Sequence, residues 1–433
     1  MIARMLAALA GRVGAADATL KTDDVLTLGI GPGGESRVTG SRTRTSHLRV
    51  FVEGRIGCAT AADEDPVELA TRALAAAASG EELELHLPAP SPLQEVATRS
   101  PPAAAAMADA LEALARGLAE RLARRDRRIE TWAERSAGTV QVANTRDVLA
   151  AYDATLAGVR AVVESLRPGA PPPIRVQASA AALPTLRDVE ALVTEVERRL
   201  APPVLEWAGP RFALLPVCFA PRAAVTLLRP LRAALLGREA WLGRSPLRGR
   251  LGELVFSERL SVSDDPLVPG RPGSRPLDDE GVASRRLTLI DRGRLVAFAC
   301  DLRTGVAAGV PSTGHAWRLP GAVPRVGFTN LLVQPGAETR ASLLGSMSKG
   351  LLVEDLEWGP GLNPLGGVVA FRAPWAYLVD GGEVRGRVEG VSLSTNVFES
   401  LAHIRGIGDD ATWLGSQCLP SLLLEGIGVS VTA

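Results

Sequence analysis

Apolar residues keep a helical rhythm in several stretches before residue 205 and an alternating rhythm in most of the chain after it. Leu111, Leu114, Leu118 and Leu122, led by Met107, are spaced by three and four, which draws one face of a helix opened by Ser100-Pro101. A second amphipathic stretch covers 186–200. A third opens on Asp65 as N-cap and Pro66 in the first turn and runs through Leu69, Leu74 and an alanine run to Ser79-Gly80. The first nine residues read as a short amphipathic helix. Between these helices the period drops to two. Leu48-Arg49-Val50-Phe51-Val52, the Glu53-Gly54 turn and Arg55 to Thr60 predict a hairpin over 47–60, and a second is expected over 139–152 around Asn144-Thr145. A short strand is expected at 174–176. Proline-rich links fall at 87–92 and 168–173, and Ala201-Pro202-Pro203 marks the expected boundary between a domain at 1–205 and one at 206–433.

From Trp207 onward one helix is expected at 221–236, followed by segments that alternate and turn on glycine. Hairpins are expected at 287–300 over Asp291-Arg292-Gly293, at 376–388 over Asp380-Gly381-Gly382 and at 422–431 over Glu425-Gly426. The fold class is therefore α+β, an N-terminal α+β domain followed by a β-rich antiparallel C-terminal domain.

Composition narrows the chemistry. Of 433 residues, 46% are hydrophobic and 22% charged, a globular balance, and 48 basic residues face 48 acidic ones. No overall field would draw the chain onto nucleic acid or an anionic membrane. The four cysteines, Cys58, Cys218, Cys300 and Cys418, are dispersed and read as reduced thiols of a cytoplasmic protein. Gly11-Arg12 interrupts the first apolar run before it reaches the ~7–15 residues of a secretory core, and nothing approaches the ~18 apolar residues of a spanning helix. The four histidines are His47, His86, His315 and His403, none three to five residues from another, so no helix offers two imidazoles to one zinc ion.

Other motifs yield to plainer readings. Ser346-Met347-Ser348-Lys349 and Ser394-Thr395-Asn396 match fragments of penicillin-recognising enzymes, but Arg303-Thr304-Gly305 precedes both, the wrong order for such a site. Gly29 to Gly34 lacks the Lys-Ser/Thr of a phosphate loop and reads as a turn. Asp264-Asp265, Asp278-Asp279-Glu280 and Asp409-Asp410 read as caps and turns, because adjacent acids on a strand point to opposite faces. Arg121, Arg124, Arg125, Arg127 and Arg128 read as a solvated helix end.

An ordered set of short signatures spans the second half: Ser245 to Gly252, Asp264-Asp265-Pro266, Asp278-Asp279-Glu280-Gly281 with Arg285-Arg286, Ser312-Thr313-Gly314-His315, Lys349-Gly350-Leu351, Asn363-Pro364, Ile407-Gly408-Asp409-Asp410 and Pro420 to Gly426. Together with the hairpin from Leu48 to Gly57, this set resembles the TldD/PmbA family, bacterial proteins also called modulators of DNA gyrase. In that family one kind of subunit carries a His-Glu-x-x-x-His helix and a later Cys that hold zinc; the other kind, TldE or PmbA, lacks them and pairs with the first. The corresponding stretch here, 223–236, has no His, Glu or Cys, and Cys418 is placed as a structural thiol. The resemblance implies a metal-free TldE/PmbA-like subunit with no catalytic residues, metal ligands or cofactor of its own, bound to a TldD-like zinc-bearing partner and acting with it on peptides in the cytoplasm. It also implies that Asp279, Glu280, Thr313, His315 and Arg318 line a substrate channel, with His315 and Asp409 standing where asparagine is usual. The alternative is a stand-alone homodimeric peptide-binding protein. Direct action on gyrase has only the family's older name behind it.

Overall fold

Long hairpins build the first half. The structure is a computed structural model that describes residues 1–63, 65–167, 171–318, 323–359 and 363–432; part of the expected proline link, 168–170, lies outside them. Strands β1 (Ala15–Ile30), β2 (Ser36–Val52), β3 (Arg55–Ala62), β4 (Arg127–Asn144), β5 (Leu149–Ser165) and β6 (Ile174–Ala180) form one antiparallel sheet in the order β3-β2-β1-β4-β5-β6. The expected hairpins at 47–60 and 139–152 are the turn ends of these much longer pairs. Glu53 and Gly54 both take positive φ, 48° and 78°, the twist that a two-residue hairpin turn needs. Alternation fails to announce the rest of β2 because residues 36–43 are exposed on both faces. Of the stretch Gly29 to Gly34, Gly29 and Ile30 end β1 and only Gly31 to Gly34 turn toward β2.

Helices cover one face of this sheet. At one end, α1 (Ile2–Ala7) and α2 (Pro66–Ala77) bury Met5, Leu69 and Ala73 against Ala16, Ala18, Leu48 and Val50. At the other end lie α3 (Pro101–Ala105), α4 (Ala108–Leu122) and α5 (Leu186–Leu200). The helix expected from Ser100 onward is broken at Ala106, whose ψ of 128° leaves its carbonyl free to accept from Arg135 Nε at 3.2 Å. Met107 therefore stands exposed as the N-cap of α4 and outside the apolar stripe. The arginine run is a solvated helix end only in part: Arg121 lies in the last turn of α4, and Arg121, Arg124, Arg125 and Arg128 are exposed. Helix α4 stops at Leu122, Arg127 and Arg128 begin β4, and Arg124 and Arg127 clasp Glu197 of α5 at 3.0 and 2.7 Å.

In the second half, strands Phe212–Phe219, Leu422–Val431, Val391–Asn396, Val368–Asp380 and Lys349–Trp358 pair in that order, and the last pairs back to the first, so the ring closes into a five-stranded barrel. Side chains alternate along each stretch between bulges. Val217, Phe219, Leu351, Val353, Phe371, Leu422 and Leu424 enter the core that fills the barrel. Cys218, Leu352, Trp375, Tyr377 and Leu423 point outward and join a core with Leu111, Leu118, Val189 and Val196 of the first half. Apolar packing is thus continuous across Ala201-Pro202-Pro203. A second sheet centres on Val262–Asp264 and Leu331–Val333.

Three expected elements differ in form. The helix at 221–236 is two, Pro221–Leu227 and Arg229–Ala234, because Pro230 lacks an N–H and disfavours the helical conformation before it. The hairpin at 422–431 is a single strand, Leu422–Val431, bulged where Gly426 takes φ 67° and the register slips. The hairpin at 287–300 keeps its turn, but its second strand is only Arg294–Leu295. The hairpin at 376–388 forms with Gly381 and Gly382 at its turn and a first strand that begins at Val368. The fold is α+β and mostly antiparallel. Among the described residues, no helix is long and apolar enough to cross a membrane.

Candidate functional site

On β1 and β2 the odd-numbered residues of 15–21 and 47–51 face away from the helices, and there the sequence places Asp17, Thr19, Lys21, His47 and Arg49. Asp17 lies directly opposite Arg49 in the register, and Thr19 opposite His47. A charged sheet face of this kind is ordinarily solvated. Here it is covered by two strips of the second half, 278–283 and 312–318.

The first strip is held by its own acids. Asp278 Oδ1 accepts from the backbone N–H of Glu280 and Val282 at 3.0 and 2.9 Å, and its Oδ2 accepts from Ala316 N–H at 3.0 Å, which ties the two strips together. Gly281, at φ 86°, closes the turn where a side chain would be strained and would crowd Val148. Asp279 then accepts from Lys21 Nζ and from the backbone N–H of Arg318, both at 2.7 Å, while its carbonyl accepts from Arg318 Nε at 3.0 Å. Asp17 sits at the centre. Its two oxygens take a bidentate pair of bonds from Arg49 at 3.0 and 2.5 Å, and Arg318 Nη2 lies 2.7 Å from Oδ2. Arg49 Nη1 also donates to Glu280 Oε1 at 2.7 Å, and Glu280 Oε2 accepts from Leu302 N–H at 2.8 Å. The result is one ionic chain, Lys21–Asp279–Arg318–Asp17–Arg49–Glu280, buried except at Lys21.

A neighbouring knot holds the other two expected residues. His315 Nδ1 faces Thr313 O and Oγ1 at 2.9 Å, and its Nε2 faces Asp264 Oδ2 at 3.1 Å. Asp264 in turn accepts the Thr329 hydroxyl and backbone N–H. Asp279, Glu280 and Arg318 thus meet in one network and Thr313 and His315 in the next, all buried, with Thr313 the most open at 9%. Asp409 does not join them: it is exposed, and its neighbour Asp410 binds Ser421 and Arg340.

Burial and charge pull the acids apart. Burial would raise Asp17, but Arg318 and Arg49 outweigh it and hold the carboxyl below its ordinary range. Asp279 is likewise lowered, burial being overcome by Lys21 and Arg275. Glu280 goes the other way: burial, reinforced by Asp301 and Asp278, beats Arg49 and lifts it to about 7. Burial raises Asp278 as well, against Arg275. His47 is pushed down to about 4 by burial and by the charges of Arg318 and Lys21. Sequence reading missed Asp17, Lys21, His47 and Arg49 as members of this site. The signal was present as charged residues two apart on a strand, but β1 carries too few large apolar residues to stand out.

The donor set does not suit zinc. Helices Pro221–Leu227 and Arg229–Ala234 bury Ala223, Ala224, Leu227, Leu231 and Ala234 and otherwise offer Thr226 and arginines, which repel a cation. Among the described residues, no three His, Cys, Asp or Glu side chains gather as a metal site. Ser346 caps the helix Arg340–Gly345 and donates its hydroxyl to Leu343 O at 2.7 Å, and Lys349 opens the following strand.

A barrel docked on a six-stranded sheet, with the acidic turn at 278–281 as the joint, marks one class of protein. Residues 213–431 match the family described as the PmbA/TldA metallopeptidase C-terminal domain, and the chain belongs to this PmbA/TldD family. A metalloprotease of Methanothermobacter thermautotrophicus is 31% identical over 39% of this chain and 37% of its own. A PmbA metalloprotease homologue of Haemophilus influenzae is 28% identical over 50% of this chain and 46% of its own. The chain thus spans less than half the length of these curated relatives. Its fold is shared at full length with TldE from Thermococcus kodakarensis, at a TM-score of 0.87 and 21% identity over 99% of this chain and 98% of that one. A Thermotoga maritima protein described as a putative modulator of a DNA gyrase superposes with a TM-score of 0.88 at 21% identity, covering 99% of each chain.

Proposed function

We propose that this chain is the metal-free, TldE-type subunit of a heterodimeric zinc metallopeptidase, in which a TldD-like partner supplies the zinc, the activated water and the base. The observation behind this reading is the donor-free helix pair within residues 221–234 of a chain that shares the whole fold of a TldE. Amide hydrolysis at neutral pH needs an activated nucleophile, and Ser346, the serine with a lysine three residues on, spends its hydroxyl on a helix carbonyl. What this chain contributes is the closure of a peptide channel and the positioning of its wall, in the cytoplasm and without nucleic acid. Asp279, Thr313, His315 and Arg318 act from behind that wall by fixing the strip 312–318, and Glu280 by tying Arg49 to the Leu302 N–H.

Co-expression with a zinc-bearing homologue tests the reading. The two chains are expected to purify as one complex, with chelator-sensitive peptide hydrolysis in the complex and no stoichiometric zinc in this chain alone. Hydrolysis by this chain alone that survives chelation, or one tightly held zinc per chain, would sink the proposal. Failure to form a complex would leave the homodimeric binding protein.

Within the complex, His315→Ala removes the bond to Asp264 that anchors the strip. Turnover is expected to fall about tenfold, ~1.4 kcal/mol of transition-state stabilisation, with assembly unchanged. Unchanged turnover would strip the histidine of any positioning role.

A further inference from the structure

The helices Gly237–Trp241 and Leu302–Ala308 and the strand Arg325–Val326 wall a cavity of about 320 Å³, lined by Arg238, Trp241, Asp301, Arg303, Thr304, Arg325 and the strip 323–324. Two of these residues, Asp301 and Thr304, are each only 2% exposed. Asp301 Oδ1 accepts from Thr304 N–H at 2.7 Å and so caps its helix. That bond uses one carboxylate oxygen. Among the described residues, Asp301 Oδ2 and the Thr304 hydroxyl have no hydrogen-bond partner. Three arginines share the lining. Arg303 is held by Glu81 at 2.7 Å, whereas Arg238 and Arg325 are exposed and hold no carboxylate among the described residues.

The cap explains where Asp301 rests and leaves its second oxygen to whatever enters the cavity. A buried carboxylate oxygen is satisfied by a donor, and a charged donor satisfies it more strongly than a neutral one. Arg238 or Arg325 alone would be an ordinary hydrated surface charge. Beside Asp301 they give the lining one negative and two positive charges, once Arg303 and Glu81 cancel. Each free guanidinium is a planar fork that matches the two oxygens of a carboxylate. The volume is that of a small-molecule site, and Trp241 gives it an aromatic wall.

We infer that this cavity binds a free acidic α-amino acid: its ammonium pairs with Asp301, its two carboxylates pair with Arg238 and Arg325, and its aliphatic stem lies against Trp241. The charges of such a ligand, one positive and two negative, are opposite to those of the lining. A plain dicarboxylate would bring like charge to Asp301, and a neutral amino acid would leave one arginine unmatched. The site does not depend on the subunit reading.

Calorimetric titration of the full chain at constant ionic strength tests the assignment. The probes are L-glutamate, glutarate, which keeps both carboxylates and lacks the ammonium, and L-glutamine, which lacks the second carboxylate. L-Glutamate is expected to bind saturably, glutarate at least about tenfold more weakly and L-glutamine about threefold more weakly. Asp301→Asn keeps an oxygen for the Thr304 N–H and removes the charge, so it is expected to erase the advantage of L-glutamate over glutarate. Arg238→Gln and Arg325→Gln, both at exposed positions, are each expected to weaken L-glutamate binding about threefold. They carry the test if Asp301→Asn does not fold. Absence of saturable L-glutamate binding overturns the proposal, as does glutarate or L-glutamine binding as tightly. So does an advantage over glutarate that survives in Asp301→Asn, or L-glutamate affinity unchanged in both arginine variants.

Discussion

Asp17→Ala is expected to destabilise the protein by about 3–5 kcal/mol, the cost of removing one partner from a buried ion network. Asp17 takes two bonds from Arg49 and an ion pair from Arg318, and all three side chains are shut off from water. Without the carboxylate, two guanidinium groups face each other with only Glu280 and Asp279 to balance them. The loss should appear as a lower urea midpoint at unchanged slope. Lys21→Ala is the internal comparison. Its side chain is 28% exposed and holds a single carboxylate, so it should cost less than Asp17→Ala, about 1–3 kcal/mol for the buried Asp279 left without that partner. Equal losses for the two variants would show that burial of the network does not set its energetics.

Between about pH 4.5 and 6.5 two buried groups should tilt stability in opposite directions, and one substitution should remove each tilt. Glu280 is lifted from 4.5 to about 7 in the folded state. Across that window the folded chain holds more protons than the unfolded one, so this group's contribution is complete below 4.5 and is lost as pH rises through 7. His47 is pushed from 6.5 to about 4. There the unfolded chain binds the extra proton, so its contribution is present above 6.5 and is lost as pH falls through 4. The two slopes oppose each other, and Asp278, raised by burial, adds to the falling one. Glu280→Gln should leave the rising slope of His47, and His47→Gln the falling slope of Glu280, neither steeper than ~1.4 kcal/mol per pH unit. Asp17 and Asp279, both lowered, act only below this range, where their protonation releases the arginines and Lys21. Identical pH profiles for the two variants would refute this assignment.

Local signals were legible wherever one short stretch carried its own cause. Asp65 before Pro66 caps α2 through a bond to Val67 N–H, and Glu53-Gly54 makes the turn the chain needs there. Absence of zinc donors from 221–236 could be read directly, since a ligand must be present to bind. The family could be read too, because its turns and caps demand particular residues in a fixed order.

Other features depended on what lies against a residue, which sequence spacing does not carry. Period two tells which residues share a face and leaves open which strand pairs with which. The strand ring therefore closed into a barrel that the hairpins alone did not announce. The same holds for charge. Asp17, Arg49 and Arg318 are unremarkable as single residues. They became a buried network only because 278–283 and 312–318 cover the odd face of β1 and β2. Asp409, written in the sequence as one of a matching acidic pair, stayed in water. Composition sets which side chains can ionise or cap a turn; the partner and the solvent each one meets are long-range properties, and only the packed tertiary structure decided them.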